Sequence, residues 1–307
     1  MQMRLTLRQM QIFCAIAETG STTGGGVAVS LSQSATSASL NELEGVLGTR
    51  LFDRVGKRLV LNTEGQRLLP QARQLLDAAQ QIEAAYRPGA GDRKARLRVG
   101  CSTTIGNYIL PRLLGALRKA APLLQVDADL ANSAAIARKV ADFQLDMGLI
   151  EGPCHLPELQ AEPWLVDELL IVVGARHPLA HASKVTKADL RRADWLLRES
   201  GSGTREEVEL LLLRHLHDLS ETQQVGSSEA IKHTLAQGIG ISCLSRWVVS
   251  DLLASGQLVA LTGVLPSLTR RFFLIRHREK FVSQSLDAFG RACRNFKDDA
   301  GAATHHG

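Results

Sequence analysis

Two runs of small polar residues in the C-terminal two thirds of the chain could bind a small anion. The first is Ser102-Thr103-Thr104, which follows a predicted strand, and the second is Ser200-Gly201-Ser202-Gly203-Thr204, which opens a predicted helix. Hydroxyl groups and the unpaired N–H groups at a helix start together make an anion site without a formal positive charge. A third turn, Gly226-Ser227-Ser228-Glu229, could line the same site. A single run of this kind is most often an ordinary N-cap or turn, and it is the presence of two in one α/β body that makes an anion site an equal alternative.

Contact with nucleic acid is indicated near the N-terminus. Between Ser21 and Leu47 the sequence predicts two short helices joined by a tight turn. The second helix is predicted to begin at Ser32, which is a good N-cap residue. The positions predicted to face inward are Thr36, Leu40, Leu43 and Leu47. The opposite face carries small or amide side chains that can approach base edges and phosphates, namely Gln33, Ser34, Ser37, Ala38 and Asn41. This pattern is typical of a helix-turn-helix, with an ordinary helical hairpin as the alternative.

A basic hairpin follows the helix pair. Val55-Gly56-Lys57-Arg58 is predicted to form its tip, between Leu51-Phe52 and Leu59-Val60-Leu61. Its positive residues are Arg50, Arg54, Lys57 and Arg58, with only Asp53 opposing them. Such residues contact phosphates or enter a minor groove, so the hairpin is a candidate wing. A solvated turn is the alternative.

Two more helices are predicted, one before the helix pair and one after the hairpin. All these elements together are called the head. A capping-box pattern at Thr6 and Gln9 begins the first, which ends at Gly20. Thr63 begins the second, whose apolar residues alternate steps of four and three, as in a coiled-coil seam: Leu68, Ala72, Leu75, Ala79, Ile82 and Tyr86. Pairing with a second copy would hold two DNA-binding heads at a fixed spacing. The alternative is packing against the chain's own body.

The rest of the chain alternates predicted strands and helices. The strands are ARLRVGC, LQVDADLA, LDMGLI, ELLIVVG, WLLRE and RRFFLI, and the helices are PRLLGALRKA, REEVELLLLRHL, EAIKHTLAQG and SQSLDAFGRACRNF. Such alternation predicts mostly parallel sheets with helices on their faces. Ligands of these sheets usually bind beyond the carboxyl ends of the strands, where the polar runs described above are found.

Length and composition limit the number of domains, the kind of partner and the location of the protein only broadly. The chain has 307 residues and 45% hydrophobic content, which predicts two or three domains. A net charge of +5 is compatible with a polyanionic partner but does not require one. No stretch has the pattern of a signal peptide or an unbroken apolar run long enough to cross a membrane, so the expected location is the cytoplasm, with no membrane partner.

No catalytic or metal-binding pattern is recognisable. The five cysteines are scattered, without a CxxC pair, which argues against a disulfide framework and a zinc site and leaves a redox-sensing thiol as a minor alternative. Cys154-His155 and Lys232-His233 have no visible third partner, and there is no nucleophile elbow or P-loop. The sequence therefore predicts that the protein is not an enzyme and has neither a cofactor nor a metal.

The chain resembles the LysR-type transcriptional regulators nearly from end to end. The similarity is carried by LRQMQIFCAIAETGS, LSQSATSASLNELE, LGTRLFDR, Thr63-Glu64-Gly65 and GSSEAIKHTLAQGIGISCLS. DMGLIEGPCHLPEL and LLRESGSGTR are further similar to the CysL/CbbR-like branch, which contains regulators of sulfur assimilation and of carbon fixation.

The resemblance implies an α+β multidomain protein. An N-terminal winged helix-turn-helix would cover residues 1–62, a dimerising linker helix and hinge 63–92, and a C-terminal α/β two-lobed effector domain, like a type 2 periplasmic binding protein, 93–307. Lobe I would contain about residues 93–166 and 271–297, and lobe II about 167–270. Members commonly form homotetramers from dimers and bind double-stranded promoter DNA, and a small effector in the cleft changes how the DNA is bent.

The resemblance also implies which residues of this chain bind DNA and effector, because they stand at the positions of the family's binding residues. Gln33, Ser34 and Ser37 match the recognition-helix contacts and Arg54 the wing arginine, beside which the charge of the hairpin adds Lys57 and Arg58. The effector-binding positions match Ser102, Thr103 and Thr104 in the first loop, and Glu151, Ser202, Gly203 and Thr204 opposite.

An ionised carboxylate at Glu151 would repel a bound anion. Glu151 must be protonated or bonded elsewhere, or the ligand must donate a hydrogen bond, as a bisulfite-like species could. A small oxyanion of sulfur, such as sulfite or sulfate, is the first expectation for the effector, and a carboxylate metabolite is the second.

Gly24-Gly25-Gly26 departs from the family, which usually has alanines and a charged residue on this helix. Each glycine inside a helix costs about 1 kcal/mol relative to alanine, so the run destabilises the helix by ~2 to 3 kcal/mol before packing compensates. Weakened DNA binding is the expected consequence. The alternative function for the whole chain is a two-lobed small-solute-binding protein without a transcriptional role, against which the basic head and the missing signal peptide both argue.

Overall fold

The computed structural model describes residues 4–56, 58–86, 95–219 and 221–296. These residues form two compact units. The first unit contains the long helix Thr63–Tyr86 and also the short segment Ala141–Gln144, and the second contains the strand Ala95–Ser102. Each unit has a hydrophobic core of its own.

The first unit is a small helical head with a two-stranded hairpin. Its elements are α1 (Leu7–Thr19), α2 (Thr22–Ala28), α3 (Gln33–Leu47), β1 (Phe52–Val55), β2 (Arg58–Leu61) and α4 (Thr63–Tyr86). The capping box predicted at Thr6 and Gln9 is present, and Gly20 ends α1 with a φ of 69°. α1 supplies much of the core, where Ile12 and Phe13 are fully buried.

The second unit alternates strands and helices. Its strands are β3 (Ala95–Ser102), β4 (Leu124–Ala131), β5 (Met147–Glu151), β6 (Leu159–Gly174), β7 (Asp194–Leu197), β8 (Glu221–Gln224), β9 (Ile241–Ser245), β10 (Leu258–Ala260) and β11 (Leu268–His277). Its α-helices are α5 (Leu110–Ala120), α6 (Ser133–Ala141), α7 (Lys187–Arg192), α8 (Gly203–Leu216), α9 (Ser228–Ala236), α10 (Arg246–Ala254) and α11 (Gln284–Asn295). A π-helical turn, Ile105–Ile109, precedes α5, and a 3₁₀ turn, Pro178–His181, follows β6.

The strands pair in the order β4-β3-β5-β11-β6-β9-β7-β8, and β10 pairs with β6. β3 is parallel to β4 and β5, and β7 is parallel to β8 and β9. The long strands β6 and β11 are antiparallel to each other and to their other partners. The prediction of mostly parallel sheets is therefore wrong at the centre. A buried strand is apolar whichever way it runs, so its residue pattern does not reveal its direction.

Three hydrophobic clusters, one in the first lobe and two in the second, define two lobes in the second unit. The core of lobe I contains Leu97 on β3, Leu113 on α5 and Phe289 on α11. Lobe II has one cluster around β7 and α8 and another around α9 and α10. β11 joins the lobes, since Leu268 packs in lobe II and Leu274 in lobe I. The predicted two-lobed architecture is confirmed, whereas the residue limits given for the domains and lobes stay a prediction.

Candidate DNA-binding surface and effector cleft

α2 and α3 form the predicted helix-turn-helix. The hydroxyl of Ser32 accepts a hydrogen bond from the N–H of Ala35 at 3.2 Å and so caps α3. Leu40 and Leu43 face the core as predicted, but Leu47 is 36% exposed because it lies at the end of α3, one turn beyond the buried stripe.

The predicted recognition residues lie at the start of α3. Gln33 and Ser34 are exposed and Ser37 is half-buried. Gln33 Nε2 donates to Thr22 Oγ1 at 3.2 Å, and the hydroxyls of Ser34 and Ser32 lie 3.0 Å apart. All are neutral polar groups at a helix N-terminus, which suits contact with phosphates and base edges. Their role in DNA binding stays a prediction.

The glycines of α2 have a packing role that the sequence did not reveal. A Cβ atom at Gly25 would lie 2.7 Å from Ile16 Cγ1 and 3.1 Å from the backbone nitrogen of Ile16 in α1. At Gly26 it would lie 2.8 Å from both the carbonyl oxygen of Leu31 and Thr36 Oγ1. The glycines therefore allow α2 to approach α1 and α3 closely, which offsets their low helix propensity.

The predicted wing is present as the hairpin of β1 and β2. Val55 pairs with Arg58 across the turn, and Gly56 has a φ of 62°. Arg54 and Arg58 are exposed, and neither has a carboxylate partner among the residues that the structure describes. Lys57, the third predicted wing contact, lies outside the described residues.

The apolar seam predicted on α4 is buried in its first half and exposed in its second half. Ala72 is 1% exposed and Leu68 packs against the core of the head, which is the alternative that the sequence left open. Further along, Leu75, Ile82 and Tyr86 are 46%, 63% and 85% exposed. Only this second half of the seam remains as a candidate dimer contact.

A buried ionic network lies where β6 and β11 pair. Arg270 donates from Nε to Asp167 Oδ2 and from Nη1 to Glu151 Oε2, both at 2.7 Å. Thr204 Oγ1 also donates to Glu151 Oε2, and the N–H of Thr104 donates to Oε1 at 3.1 Å. The side chains of the three charged residues are at most 2% exposed. Both carboxylate oxygens of Glu151 are therefore engaged by the protein.

Glu151 is the strongly ionised member of this network. Burial alone would raise its pKa, but Arg270 and the Thr204 hydroxyl lower the pKa to about 2. Burial raises the pKa of Asp167 in spite of the same arginine. Of the alternatives given for Glu151, the structure supports the one in which it is bonded elsewhere.

Arg198, directly after β7, carries a positive charge into the cleft between the lobes. It is 2% exposed, and its Nη1 donates to Thr103 Oγ1 at 3.0 Å and to Ser228 Oγ at 2.8 Å. Its Nε and Nη2 donate to Glu199 at 2.8 and 2.9 Å. Thr103 follows β3 of lobe I, whereas Arg198 and Ser228 belong to lobe II, so the guanidinium spans the cleft. The expectation of an anion site without a formal charge omitted this ion pair of Arg198 and Glu199.

Three buried polar atoms have no hydrogen-bond partner among the described residues: Ser102 Oγ, Thr104 Oγ1 and Arg270 Nη2. Thr104 and Arg270 bond the Glu151 carboxylate through their other polar groups, and the Ser102 hydroxyl at the end of β3 lies close enough to this carboxylate to help lower its pKa. Buried polar groups are rarely left unsatisfied. Their concentration around one carboxylate is typical of a site that binds a polar partner.

A second polar link joins the lobes beside the cleft. Tyr108, on the π-helical turn of lobe I, donates to Glu229 at the start of α9 and accepts from Lys232 Nζ at 3.1 Å. Lys232 is 3% exposed and also pairs with Asp251 at 3.2 Å. Burial and the bond to Glu229 raise the pKa of Tyr108 to about 12, so this hydroxyl stays protonated.

The structure brings most of the predicted effector residues together but gives some of them structural roles. Ser202 is buried and its hydroxyl caps α8 by accepting from the N–H of Arg205. A Cβ at Gly203 would lie 1.9 Å from the carbonyl oxygen of Glu151, so only glycine fits this contact. The hydroxyl of Thr204 is committed to Glu151.

Sequence reasoning missed the two arginines of the site. Arg198 was part of a predicted strand end, and Arg270 began a predicted strand. A charged residue within an otherwise apolar strand was the available signal, because such a residue is rarely buried without a partner. Ser228 had been placed in a turn that could line the cleft, and its bond to Arg198 agrees with that position.

Neither metal binding nor membrane insertion is indicated in the part of the chain that the structure describes. No group of three or more His, Cys, Asp or Glu side chains there could hold a metal ion. None of the described helices is both long and apolar enough to cross a membrane.

A helix-turn-helix head and a separate two-lobed unit with a polar cleft define the class of ligand-responsive DNA-binding proteins. Residues 7–66 match the model of the bacterial regulatory helix-turn-helix proteins of the LysR family. Residues 90–297 match the LysR substrate-binding domain. The chain belongs to the LysR family of transcriptional regulators, with a DNA-binding and an effector-binding domain.

Its relatives are transcriptional regulators. The chain is 46% identical to the uncharacterized HTH-type transcriptional regulator YeiE of Escherichia coli (strain K12), over 95% of this chain and 98% of YeiE. It is 32% identical to CysL of Bacillus subtilis (strain 168), over 80% of this chain and 82% of CysL. It is 29% identical to CbbR of Sinorhizobium medicae (strain WSM419), over 93% of this chain and 91% of CbbR. The resemblance to the CysL/CbbR-like branch is thus confirmed.

Solved structures support the fold. A full-length variant of OxyR from Pseudomonas aeruginosa superposes with a TM-score of 0.77 at 22% identity, over 96% of both chains. CbnR in complex with its target DNA gives a TM-score of 0.64 at 20% identity, over 94% of this chain and 99% of CbnR. The regulatory domain of Synechocystis PCC6803 CcmR in complex with 2-PG superposes with a TM-score of 0.59 at 29% identity, over 65% of this chain and 95% of that domain.

Proposed function

We propose that this regulator binds a small oxyanion of sulfur in the cleft between its lobes and that this ligand controls its binding to promoter DNA. The observation that carries the proposal is the buried Arg198 guanidinium, which donates to the hydroxyl of Thr103 in lobe I and to the hydroxyl of Ser228 in lobe II. Arg198 is paired with Glu199, and the hydroxyls of Thr103 and Ser228, which accept from Arg198, keep their own O–H groups to donate to a compact anion.

The state of Glu151 refines the kind of ligand. Because both of its carboxylate oxygens already accept hydrogen bonds from the protein, the ligand does not have to donate one to this residue. A fully ionised oxyanion therefore fits as well as a bisulfite-like one. The resemblance to the branch that contains regulators of sulfur assimilation favours a sulfur compound, whereas the CcmR structure with 2-PG supports the second candidate, a metabolite of the carboxylate class.

The effector proposal can be tested by thermal unfolding of the full-length protein with sulfite, sulfate and a panel of small carboxylates. A sulfur oxyanion should raise the melting temperature, and Thr103→Val, which removes the hydroxyl that Arg198 contacts, should abolish most of the increase. Thr262→Val, an exposed threonine of lobe II, is the matched control and should respond like the parent protein. An increase with carboxylates alone would show that the sulfur proposal is wrong.

The proposed DNA contacts are Gln33, Ser34 and Ser37 on α3 together with Arg54, Lys57 and Arg58 on the wing. Fluorescence anisotropy with the DNA upstream of the protein's own gene, against a scrambled duplex, would test them at several salt concentrations. Replacing Arg54 or Arg58 by alanine should weaken binding to both duplexes and reduce the slope of log affinity against log salt by about 1. Gln33→Ala should instead reduce the preference for the native duplex.

Arg118→Ala removes an exposed charge from α5 of the second unit and is the control for these variants. Equal and weak binding of the parent protein to both duplexes at every salt concentration would argue against this operator. Unchanged salt dependence in both wing variants would argue against the wing contacts.

The protein is further proposed to act as a homodimer through the exposed half of the α4 seam, with a homotetramer as the complete assembly. Its proposed location is the cytoplasm, where bacterial promoter DNA is found. A two-lobed solute-binding protein without a transcriptional role, the alternative function, would bind the same anions but would not distinguish the two duplexes.

A further inference from the structure

A cavity lies at the seam between the lobes, next to but outside the proposed effector site. Its volume is about 390 Å³, within the range of sites that hold small organic ligands. On the lobe I side it is lined by α6 and by the loop that follows β5, and on the lobe II side by Ser200, Gly201 and Glu206. None of the seven proposed effector residues lines it.

The floor of this cavity is apolar. Ala137 on α6 and Ile150 on β5 are 6% and 1% exposed, and Pro153 and Leu156 from the loop complete this surface. Side chains of this kind contact a hydrocarbon or aromatic body and provide most of the binding free energy in ligand pockets.

The polar groups of the cavity include His155, Glu206, Arg138 and Ser200. His155 Nε2 lies 2.6 Å from Glu206 Oε1, so these two side chains are paired across the seam. Arg138 donates from Nε to the carbonyl oxygen of Ala134, and within the described residues its guanidinium has no carboxylate partner. The hydroxyl of Ser200 likewise makes no hydrogen bond to the described part of the chain. An available guanidinium and hydroxyl beside an apolar floor are complementary to a carboxylate that carries an apolar body.

We infer that this cavity, called here the seam pocket, is a second ligand site, and that it binds small monocarboxylates with an apolar or aromatic body. The carboxylate pairs with Arg138 and accepts from Ser200, while the body lies on Ala137 and Ile150. This site is independent of the proposed sulfur oxyanion, which has no apolar part to fill it.

Saturation-transfer NMR of the full-length protein with 3-phenylpropionate as the probe tests the seam pocket. The dissociation constant should be on the order of 1 mM, as expected for a probe of this size. Its neutral amide, 3-phenylpropionamide, should bind at least about tenfold more weakly because it cannot pair with Arg138. Arg138→Gln should weaken binding of the acid by a similar factor.

Two control variants make the result specific. Arg118→Gln removes an exposed arginine of α5 in the same lobe and should leave probe binding unchanged. Thr103→Val alters the effector cleft but not the seam pocket, so it should also leave probe binding unchanged. The inference would be overturned by the absence of saturable binding, by equal binding of the acid and the amide, by an Arg138→Gln variant that binds like the parent, or by loss of binding in Thr103→Val. DNA binding is not a readout here, so failure of this test leaves the proposed regulatory function standing.

Discussion

At the scale of single residues, Glu151 determines how the cleft is held together. It accepts hydrogen bonds from Thr104 and Thr204 and pairs with Arg270, which also pairs with Asp167. Removing one member of a buried ion pair is far more destabilising than replacing both, because the remaining charge is left buried without compensation. The stability of the second unit should therefore be sensitive to this carboxylate.

Glu151→Gln should lower the free energy of unfolding of the second unit by about 3 kcal/mol, since Arg270 loses one of the two carboxylates with which it is paired. Urea unfolding followed by tryptophan fluorescence measures this unit specifically, because Trp164, Trp195 and Trp247 all belong to it.

The effect of Glu151→Gln should depend on pH. The pKa of Glu151 falls from the ordinary value of 4.5 to about 2 on folding, so its contribution is fully present above about pH 4.5 and is lost as the pH falls towards 2. The difference in stability between the parent and the variant should shrink over that interval. A difference that stays constant from pH 6 to pH 2 would contradict the ionised state of Glu151.

The cysteines give a second prediction at this scale. Burial raises the pKa of Cys14 to about 11 and of Cys101 and Cys243 to about 12, and Cys293 is also fully buried. Only Cys154 is partly exposed. A chromogenic disulfide reagent at pH 8 should therefore react with about one thiol per native chain and with all five after denaturation. The native reaction should disappear in Cys154→Ser, and rapid reaction of more than one thiol would contradict the burial of the others.

At the scale of elements, the packing of α2 depends on its glycines. Gly25→Ala should destabilise the helix pair, because the new methyl group would overlap Ile16 of α1, and overpacking typically costs about 1 to 3 kcal/mol. The propensity argument alone predicts the opposite, a gain of about 1 kcal/mol. Hydrogen exchange of the α1 and α2 amides should therefore become faster, and DNA affinity should fall.

Gly45→Ala is the matched control for Gly25→Ala. Gly45 lies within α3 of the same head, and a Cβ atom there meets nothing within 4 Å. This variant should stabilise the head by up to about 1 kcal/mol through propensity alone. Slower exchange in Gly25→Ala as well as in Gly45→Ala would show that α2 is not closely packed against α1.

At the scale of the whole molecule, the exposed half of α4 is the surface proposed to join two chains. Ile82 is 63% exposed, and placing a charge there would bury it in a dimer contact. Ile82→Lys should shift the protein towards the monomer in light scattering at micromolar concentration and weaken binding to a two-fold symmetric duplex. Gln80→Lys adds the same charge at an exposed polar position and should leave the mass unchanged. An unchanged mass in Ile82→Lys would exclude this face as the main dimer contact.

The sequence by itself determined the local elements of this protein. The caps at Thr6 and Ser32, the apolar spacing of α3 and the turn at Gly56 are interactions between residues close along the chain, so the helix-turn-helix and its wing could be recognised from their pattern. The same patterns also carried the resemblance to the LysR family, and with it the two-lobed second unit.

Only the tertiary structure decided which side chains meet in the cleft. Arg270 and Glu151 are 119 positions apart, and Arg198 and Thr103 are 95 positions apart, yet each pair forms a direct hydrogen bond. These contacts depend on strand order and on the antiparallel pairing of β6 with β11, which an apolar strand pattern does not encode. The glycines of α2 follow the same principle, because their low propensity is local whereas the close approach that requires them lies between helices.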